Sequence, residues 1–445
     1  MSSLKEYNKK RNFNKTKEPY GKKKKSNKLL KFVIQHHIAT KDHYDLRLEY
    51  NDVYLSFAVP KGPSFNPKDK RLAVKVEDHP INYGNFEGTI PEGEYGAGIV
   101  MLWDKGHYKI NEIYVNKYIK FTLYGKRLKG NWTLIKFKDN NWLLIKEKDE
   151  YVSNIDIKKY NTSVKTNRTM EEIKLGIDNI KISNEDKIIY PKYKITKKDI
   201  IEYYKLVSDR MLLFLNNRLI STVRSPNGID KEKFFMKHLN TNSKNIGKKK
   251  VHGGEYYYIK NINGLLEEVQ MNSYEFHIWC SKQNKIKVPD IMVFDLDPDV
   301  SSGIKDVRFC ALELKKILDE LDLKSYLKTS GGTGYHIFVP INVKSYKLLE
   351  KISKSIVDIL INKYPNKYTT NIRKEKRKNK ILIDYYRNKM GATSVSPYSL
   401  RLKDNASISF PISWEDIKHI KPDTITIRNV KKYLEKDNPW SDFFE

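Results

Sequence analysis

Residues 43–49 read HYDLRLE. As a strand this stretch alternates with period two: Tyr44, Leu46 and Leu48 face one way, and His43, Asp45, Arg47 and Glu49 the other. The first face is a core face. The second gathers an imidazole, two carboxylates and a guanidinium, groups that are costly to bury without partners. Just upstream, QHHIATKD (35–42) adds two histidines and an aspartate, between apolar runs rather than in a solvated tail. His plus Asp without Cys suits Mn²⁺ or Zn²⁺, and a neighbouring Arg suits a phosphate oxygen.

Outward from this stretch, residues 31–150 form short alternating segments split by the turn signals KGPSFNP, EDHPINYG and GTIPEGEYGAG. Strands at this spacing predict an antiparallel barrel or sandwich. Residues 1–30 read as a loose, Lys-rich arm ending in GKKKKSNK, and residues 151–176 as a polar linker. From 177 to 445 the character changes. Lys197–Leu215 and Ile304–Leu321 have helical apolar spacing, while IMVFDLD (291–297) and ILIDYY (381–386) read as buried strands. The chain is therefore expected to be multidomain, a β domain followed by an α/β (α+β) domain.

The net charge of +30 over 445 residues points to a polyanionic partner, most often nucleic acid. Two cysteines, Cys280 and Cys310, offer no disulfide framework and suit a reducing cytosol. The N-terminal MSSLKEYNKKRNF lacks the apolar core of a signal peptide, and no apolar run approaches the roughly 18 residues of a membrane span. Secreted and membrane classes are set aside, and a soluble cytoplasmic protein is expected.

A second constellation lies in IMVFDLDPD. Asp295 and Asp297, two residues apart on a strand, project to one face, where their mutual repulsion favours divalent cations. Asp384, in ILIDYY, offers a third strand-borne carboxylate, the set that two-metal phosphoryl transfer needs. TSGGTGYH (329–336) follows a strand, with glycines that let backbone N–H groups approach a phosphate. The plainer readings are a hydrogen-bonded histidine cluster, and a strand ending in an Asp-Pro turn.

FVIQHHIATKDHYDLRLE, continued by SFAVPKGPSFNPKDKRLAVKVEDHPINYGNFEGTIPEGEYGAG, resembles the phosphoesterase domain of bacterial end-joining DNA ligase D. The resemblance implies a β-barrel that trims 3′ ends, removing a terminal ribonucleoside and then a 3′-phosphate. It also implies Mn²⁺ ligation by His37, His43 and Asp45, and phosphate contacts from Arg47 and His79. Lys61, Arg71, Glu77 and Tyr83 fall on functional positions, as do Arg11 and Glu18 in the arm. Asn12 replaces an acid of the family pattern, His36 a Lys, and Asp42 an apolar residue.

The second half resembles the polymerase domain of the same family, of the archaeo-eukaryotic primase type. The runs that carry this are KIIYPKYKITKKDIIEYY, STVRSPNGIDKEKFFMKH, EFHIWCSK, VFDLDPD, KTSGGTGYH, KILIDYYRN and ATSVSPYSLR. It implies metal ligation by Asp295, Asp297 and Asp384. Ser330, His336, Arg377 and Arg401 fall around the phosphates of an incoming NTP or dNTP, and His277 near its sugar. Phe235 is expected to stack on a template base and Lys237 to meet a 5′-phosphate, with Phe234 in the core. Thr333 stands where many members carry Lys, which predicts weaker triphosphate binding unless Lys328 or another basic group stands in.

The expectation is an end-processing enzyme of non-homologous end joining: 3′-phosphoesterase plus template-directed nucleotidyltransferase, using Mn²⁺ with Mg²⁺ as an option. Its expected partners are broken DNA, a Ku-type end-binding protein and a separate ATP-dependent DNA ligase, at the nucleoid. No K-x-D-G nucleophile motif occurs, so no ligase activity is expected. The rivals are a replicative primase-polymerase with a non-catalytic N-terminal module, and an inactive nucleic-acid-binding scaffold.

Overall fold

The computed structural model describes residues 4–22 and 29–445, apart from positions 115, 179, 181, 240, 300 and 378. It divides into two compact units, residues 1–179 and 180–445. Most of the basic run in the arm, residues 23–28, lies outside the described residues.

The first unit opens with helix α1 (Leu4–Lys9) and continues through strands β1 (Leu30–Ile38), β2 (Asp42–Tyr50), β3 (Val53–Val59), β4 (Arg71–Lys75), β5 (His79–Pro80), β6 (Gly88–Ile90), β7 (Gly98–Tyr114), β8 (Tyr118–Gly125), β9 (Lys129–Lys138) and β10 (Asn141–Lys146). The order β1-β2-β3-β4-β10-β9-β8-β7 closes on itself through β1–β7 pairing, giving an eight-stranded barrel. The barrel alternative is thus the one adopted. Its interior is a packed core of Phe32, Ile34, Leu46, Leu48, Phe57, Trp103, Phe121, Trp132 and Trp142. The alternation of HYDLRLE accordingly sends its apolar face into the barrel and its polar face outside.

Two expectations for this unit are corrected. The stretch 151–176 is not a free linker, because Ile157 and Ile173 are buried in the barrel core cluster. Helix α2 (Met170–Lys174) starts at a Thr169/Glu172 capping box, and the Trp103 indole donates to the Tyr160 carbonyl at 2.9 Å. Nor is the arm loose over its described part. Leu4 and Tyr7 are buried with Val53, Tyr83, Phe86, Ile90 and Val100.

The second unit begins with a small ribbon, β11 (Ile188–Tyr190) and β12 (Ile195–Thr196), which leads into α3 (Lys197–Leu215). Thr196 and Asp199 form the capping box that starts this helix. One sheet combines β13 (Arg218–Arg224), β14 (Phe234–Met236), β15 (Ile246–Val251), β16 (Gly254–Ile259) and β17 (Ser273–Lys282), with α4 (Ile262–Gln270) between the last two. The other is built from β18 (Ile291–Asp297), β19 (Tyr326–Thr329), β20 (Tyr335–Pro340), β21 (Tyr368–Thr369), β22 (Ile381–Asp384) and β24 (Pro411–Ile412), with α5 (Ile304–Glu320) and α6 (Tyr346–Lys363). β23 (Ser394–Val395) joins the first sheet beside β17. Pairing is antiparallel except for β21–β22, so the domain is α+β. No helix among the described residues is long and apolar enough to cross a membrane.

Candidate active sites

The first site stands on the outer face of β1 and β2. Their register sets His37 opposite His43 and Gln35 opposite Asp45. His37 Nδ1 lies 3.9 Å from Asp45 Oδ2, and His43 Nε2 lies 3.7 Å from Asp45 Oδ1. The other ring nitrogens face carbonyls: His37 Nε2 at 3.0 Å from Gly96 O, and His43 Nδ1 at 2.9 Å from Lys41 O. A carbonyl only accepts, so those nitrogens carry the protons and the two lone pairs point at the carboxylate. Three electron-rich atoms thus lie within 4.8 Å of one another, a set that could hold a divalent cation. Among the described residues this is the one such His/Cys/Asp/Glu group.

Behind it, Arg47 is fully engaged. It donates to Asp45 Oδ2 (2.8 Å), Gln35 Oε1 (2.7 Å) and Ser56 Oγ (2.9 Å), with Tyr83 against its flat face at 4.8 Å. His79 Nδ1 lies 2.9 Å from Glu77 O and 3.1 Å from Ser56 Oγ, which leaves Nε2 to accept from Arg11 at 3.3 Å. Burial, reinforced by Arg47 and Arg11, holds the His79 imidazole well below its ordinary value, so it is neutral at pH 7. Arg11 reaches Glu18 at 2.8 Å and Glu77 at 3.4 Å, and Lys10 also approaches Glu77 at 3.4 Å. With Glu6 at 3.0 Å from Lys10, the four acids Asp45, Glu18, Glu77 and Glu6 outnumber Arg11, Arg47 and Lys10 by one, and a divalent cation would turn the face net positive.

Lys61 and Arg71 do not join this cluster. They line a separate cleft of about 900 Å³ with His36 and Asp42. The two departures at 36 and 42 meet there as a pair, His36 Nε2 to Asp42 Oδ1 at 2.6 Å, with the imidazole stacked on Tyr44. Strand alternation also separates the adjacent histidines: His37 faces the metal-type cluster and His36 does not. Asn12 is exposed, its Oδ1 accepting from the Asn14 N–H.

In the second unit, β18 pairs with β22 so that Asp295 sits directly opposite Asp384, while Asp297 lies opposite Leu382. Arg387 Nε reaches Asp384 Oδ2 at 3.1 Å and Asp295 Oδ2 at 3.5 Å, and Arg377 donates to Asp297 at 2.8 Å. Burial raises the Asp384 carboxyl, and the charges of Asp295 and Asp297 add to this against Arg387. Burial acts on Asp295 too, but His336 at 3.1 Å and Arg387 outweigh it and hold that carboxyl well below the usual range. His336 is backed in turn by Lys328, fully buried between His336 Nδ1 (2.9 Å) and Ser409 Oγ (2.5 Å).

Asp295, Asp297, His336 and Arg387 open on a pocket of about 560 Å³ lined also by His277, Ser330 and Arg401, among others, while Asp384 lies outside that lining. The glycine turn is built differently from a simple phosphate cradle. Gly332 N–H and Gly334 N–H donate to Ser330 Oγ, and Gly331 N–H to Pro422 O. A Cβ at Gly334 would fall 1.7 Å from the Leu296 carbonyl, so this glycine lets the turn lie against β18. Thr333 is exposed at the pocket, and Lys328 does not replace its missing cation, since Lys328 is buried away from the lining. Lys192, Arg387, Arg401 and Lys403 supply the basic groups there.

Phe235 and Lys237 belong to the edge region around β14. Phe235 is 50% exposed, its ring edge-on to His277 at 5.8 Å, with the Lys237 ammonium 5.8 Å from the Phe235 ring. Phe234, expected in the core, is 43% exposed. Among the described residues β14 pairs with β13 alone, and its three side chains are exposed or half-buried.

The pattern describing the LigD primase-polymerase domain matches residues 196–440, more than half of the chain, and that of the DNA ligase D 3′-phosphoesterase domain matches residues 35–136. The chain belongs to the LigD family. The multifunctional non-homologous end joining protein LigD of Pseudomonas aeruginosa is 43% identical over 281 residues, 59% of this chain and 33% of that protein. Its Mycolicibacterium smegmatis counterpart is 42% identical over 266 residues, 56% of this chain and 35% of that protein. The bifunctional LigD of Bacillus subtilis is 29% identical over 270 residues, 60% of this chain and 44% of that protein. The chain thus spans between a third and a half of the length of these curated relatives. The solved polymerase domain of Mycobacterium tuberculosis ligase D in complex with DNA shares the fold, with a TM-score of 0.54 and 24% identity over 58% of this chain and 95% of that one.

Within this LigD frame, the residues that sequence reasoning missed are those that hold others in place. Gln35 and Ser56 fix Arg47. Glu275 accepts from His277 at 2.9 Å and Arg401 at 3.1 Å, and so aligns both. Gln35 lies within the quoted run and Glu275 two residues before His277, so strand alternation was the available signal.

Proposed function

We propose that the chain prepares broken DNA ends in non-homologous end joining. Its first unit removes a 3′-terminal ribonucleoside and 3′-phosphate, and its second adds nucleotides against a template. The observation that carries the reading is the His37/His43/Asp45 donor set backed by Arg47, together with three strand-borne carboxylates in a second unit of the LigD family.

A divalent cation, Mn²⁺ or Mg²⁺, would supply Lewis acidity to the phosphate at His37, His43 and Asp45, and two-metal phosphoryl-transfer chemistry at Asp295, Asp297 and Asp384. Asp45 is aligned by Arg47, and Arg47 by Gln35, Ser56 and the Tyr83 ring. Because His79 is neutral it brings no charge of its own to a phosphate; Arg47 and Arg11 are paired with Asp45, Glu18 and Glu77, so the net positive charge would come from the cation. His79 bridges the two arginines by accepting from Arg11 and sharing Ser56 with Arg47. In the second unit Arg387 occupies the space between Asp295 and Asp384 and must swing away for cations to bind; its side chain is 40% exposed, which leaves it room. Glu275 holds His277 and Arg401 toward the pocket for the sugar and phosphates of an incoming nucleotide. Phe235, exposed beside His277, offers a stacking face that tolerates any base, and Lys237 a cation for a 5′-phosphate.

A Ku-type protein and a separate ligase are the partners this reading calls for. The test is a primer-template ending in 3′-phosphate or 3′-OH, incubated with Mn²⁺ and rNTPs or dNTPs. Release of phosphate from the first and extension of both support the reading. Extension of the 3′-OH end with no phosphate release favours a primase-polymerase with a non-catalytic first unit.

A further inference from the structure

The polar face of β2 does not end at Arg47. Two residues on, Glu49 is 1% exposed. Its Oε2 accepts from the Lys31 N–H at 2.8 Å, but its Oε1 has no hydrogen-bond partner among the described residues. An acceptor left without a donor is costly, and more so when it is charged. Glu49 lines a pocket of about 530 Å³, together with Lys31, Lys105, Lys126, His107 and Asn82. Glu49 is the one acid in that lining, against three lysines. A ligand matched to this pocket is an anion that also brings an N–H or O–H donor. A nucleotide has both, in its phosphates and in the Watson–Crick edge of its base.

The place of the pocket narrows the ligand. Glu49 follows Asp45 by four residues on one strand face, about 13 Å at about 3.3 Å per residue. That distance covers roughly four nucleotides at a rise of about 3.4 Å each. The segment Ile81–Asn85 lies between, with Tyr83 over Arg47 and Ile81, Asn82, Gly84 and Asn85 on the pocket side. We propose that this pocket is an upstream subsite for the strand being trimmed, in which Glu49 accepts from a base edge and the lysines contact the phosphodiester backbone. The proposal rests on the 3′-end-trimming reading of the first unit.

The experiment uses the full chain with Mn²⁺ and 3′-phosphorylated oligodeoxynucleotides of two and eight nucleotides. Glu49→Gln keeps an oxygen for the Lys31 N–H but sets an amide donor where an acceptor is needed. It is expected to raise KM for the eight-mer about tenfold, with kcat unchanged and the dinucleotide unaffected. Lys105→Glu, at an exposed position, should do the same without burial at risk. Fluorescence anisotropy of a labelled 3′-OH eight-mer, which needs no turnover, should show the same loss of affinity in both variants. Equal effects on both lengths, or unchanged affinity for the eight-mer, would overturn the subsite. Deoxyadenosine monophosphate binding as tightly as the eight-mer, with sensitivity to Glu49→Gln, would assign the pocket to free nucleotides and also overturn it. Absence of phosphate release by the wild type at either length would count against the trimming reading alone, since the anisotropy still reports on the pocket.

Discussion

Asp45 is a buried aspartate and Asp295 a half-buried one, each held by an arginine, and they belong to different units. His43→Ala or Asp45→Ala should lower phosphate release by two orders of magnitude or more, on the order of 3 kcal/mol, with primer extension intact. Asp295→Ala should do the reverse. Parallel assays of both activities on each folded variant check this, and joint loss in any one would contradict two separate sites. His79 makes a pH prediction. Its folded-state value is depressed by burial and by Arg47 and Arg11, so the unfolded chain binds the proton more readily. The contribution is present above the ordinary imidazole value near 6.5 and is lost as pH falls below it, by up to about 1.4 kcal/mol per pH unit. Thermal melts of the first unit's signal between pH 7.5 and 5, in chelator, should show this slope, and His79→Asn should flatten it. The residue types at both sites were legible because period-two spacing alone puts His43 with Asp45 and Asp295 with Asp297. The neutrality of His79 was not, since it depends on two arginines 68 and 32 residues away in sequence that only folding brings to it.

At the level of elements, the segment after the barrel is the case where composition misled. Residues 151–176 are polar on average, yet a few well-spaced apolar side chains, Ile157, Tyr160, Met170 and Ile173, are enough to seat them on the barrel. Ile173→Ala should cost about 2–4 kcal/mol, read as a lower Tm of the first unit, and a chain cut after residue 150 should be less stable still. A Tm unchanged by Ile173→Ala would restore the linker reading. β14 is the converse: two adjacent phenylalanines look like core, but both are exposed on a three-residue strand that pairs with β13 alone among the described residues. By contrast, α3 matches the predicted Lys197–Leu215 to the residue, because its apolar period and its Thr196/Asp199 capping box agree.

For the molecule as a whole, the charge of +30 has a measurable consequence. If it serves DNA backbone contacts, log affinity should fall linearly and steeply with log salt, by several units of slope, through counterion release. A nearly flat plot would return the lysines to surface composition. A chain of these 445 residues should also form no protein–AMP adduct with labelled ATP and seal no nick unaided, for want of a K-x-D-G lysine. A covalent adduct would refute that.

What the sequence determined by itself is what short-range order carries: strand alternation, helix period and caps, the pairing of like ligands on one face, and the runs that mark the LigD family. Closure of the barrel through β1–β7 and the docking of residues 4–22 beside His79 were decided by the tertiary structure. So were the confinement of Arg387 between two carboxylates, the separation of Lys61 and Arg71 from the metal-type cluster, and the orphaned oxygen of Glu49. Each depends on contacts between residues distant in sequence, and on desolvation, which has no value until the neighbours that exclude water are in place.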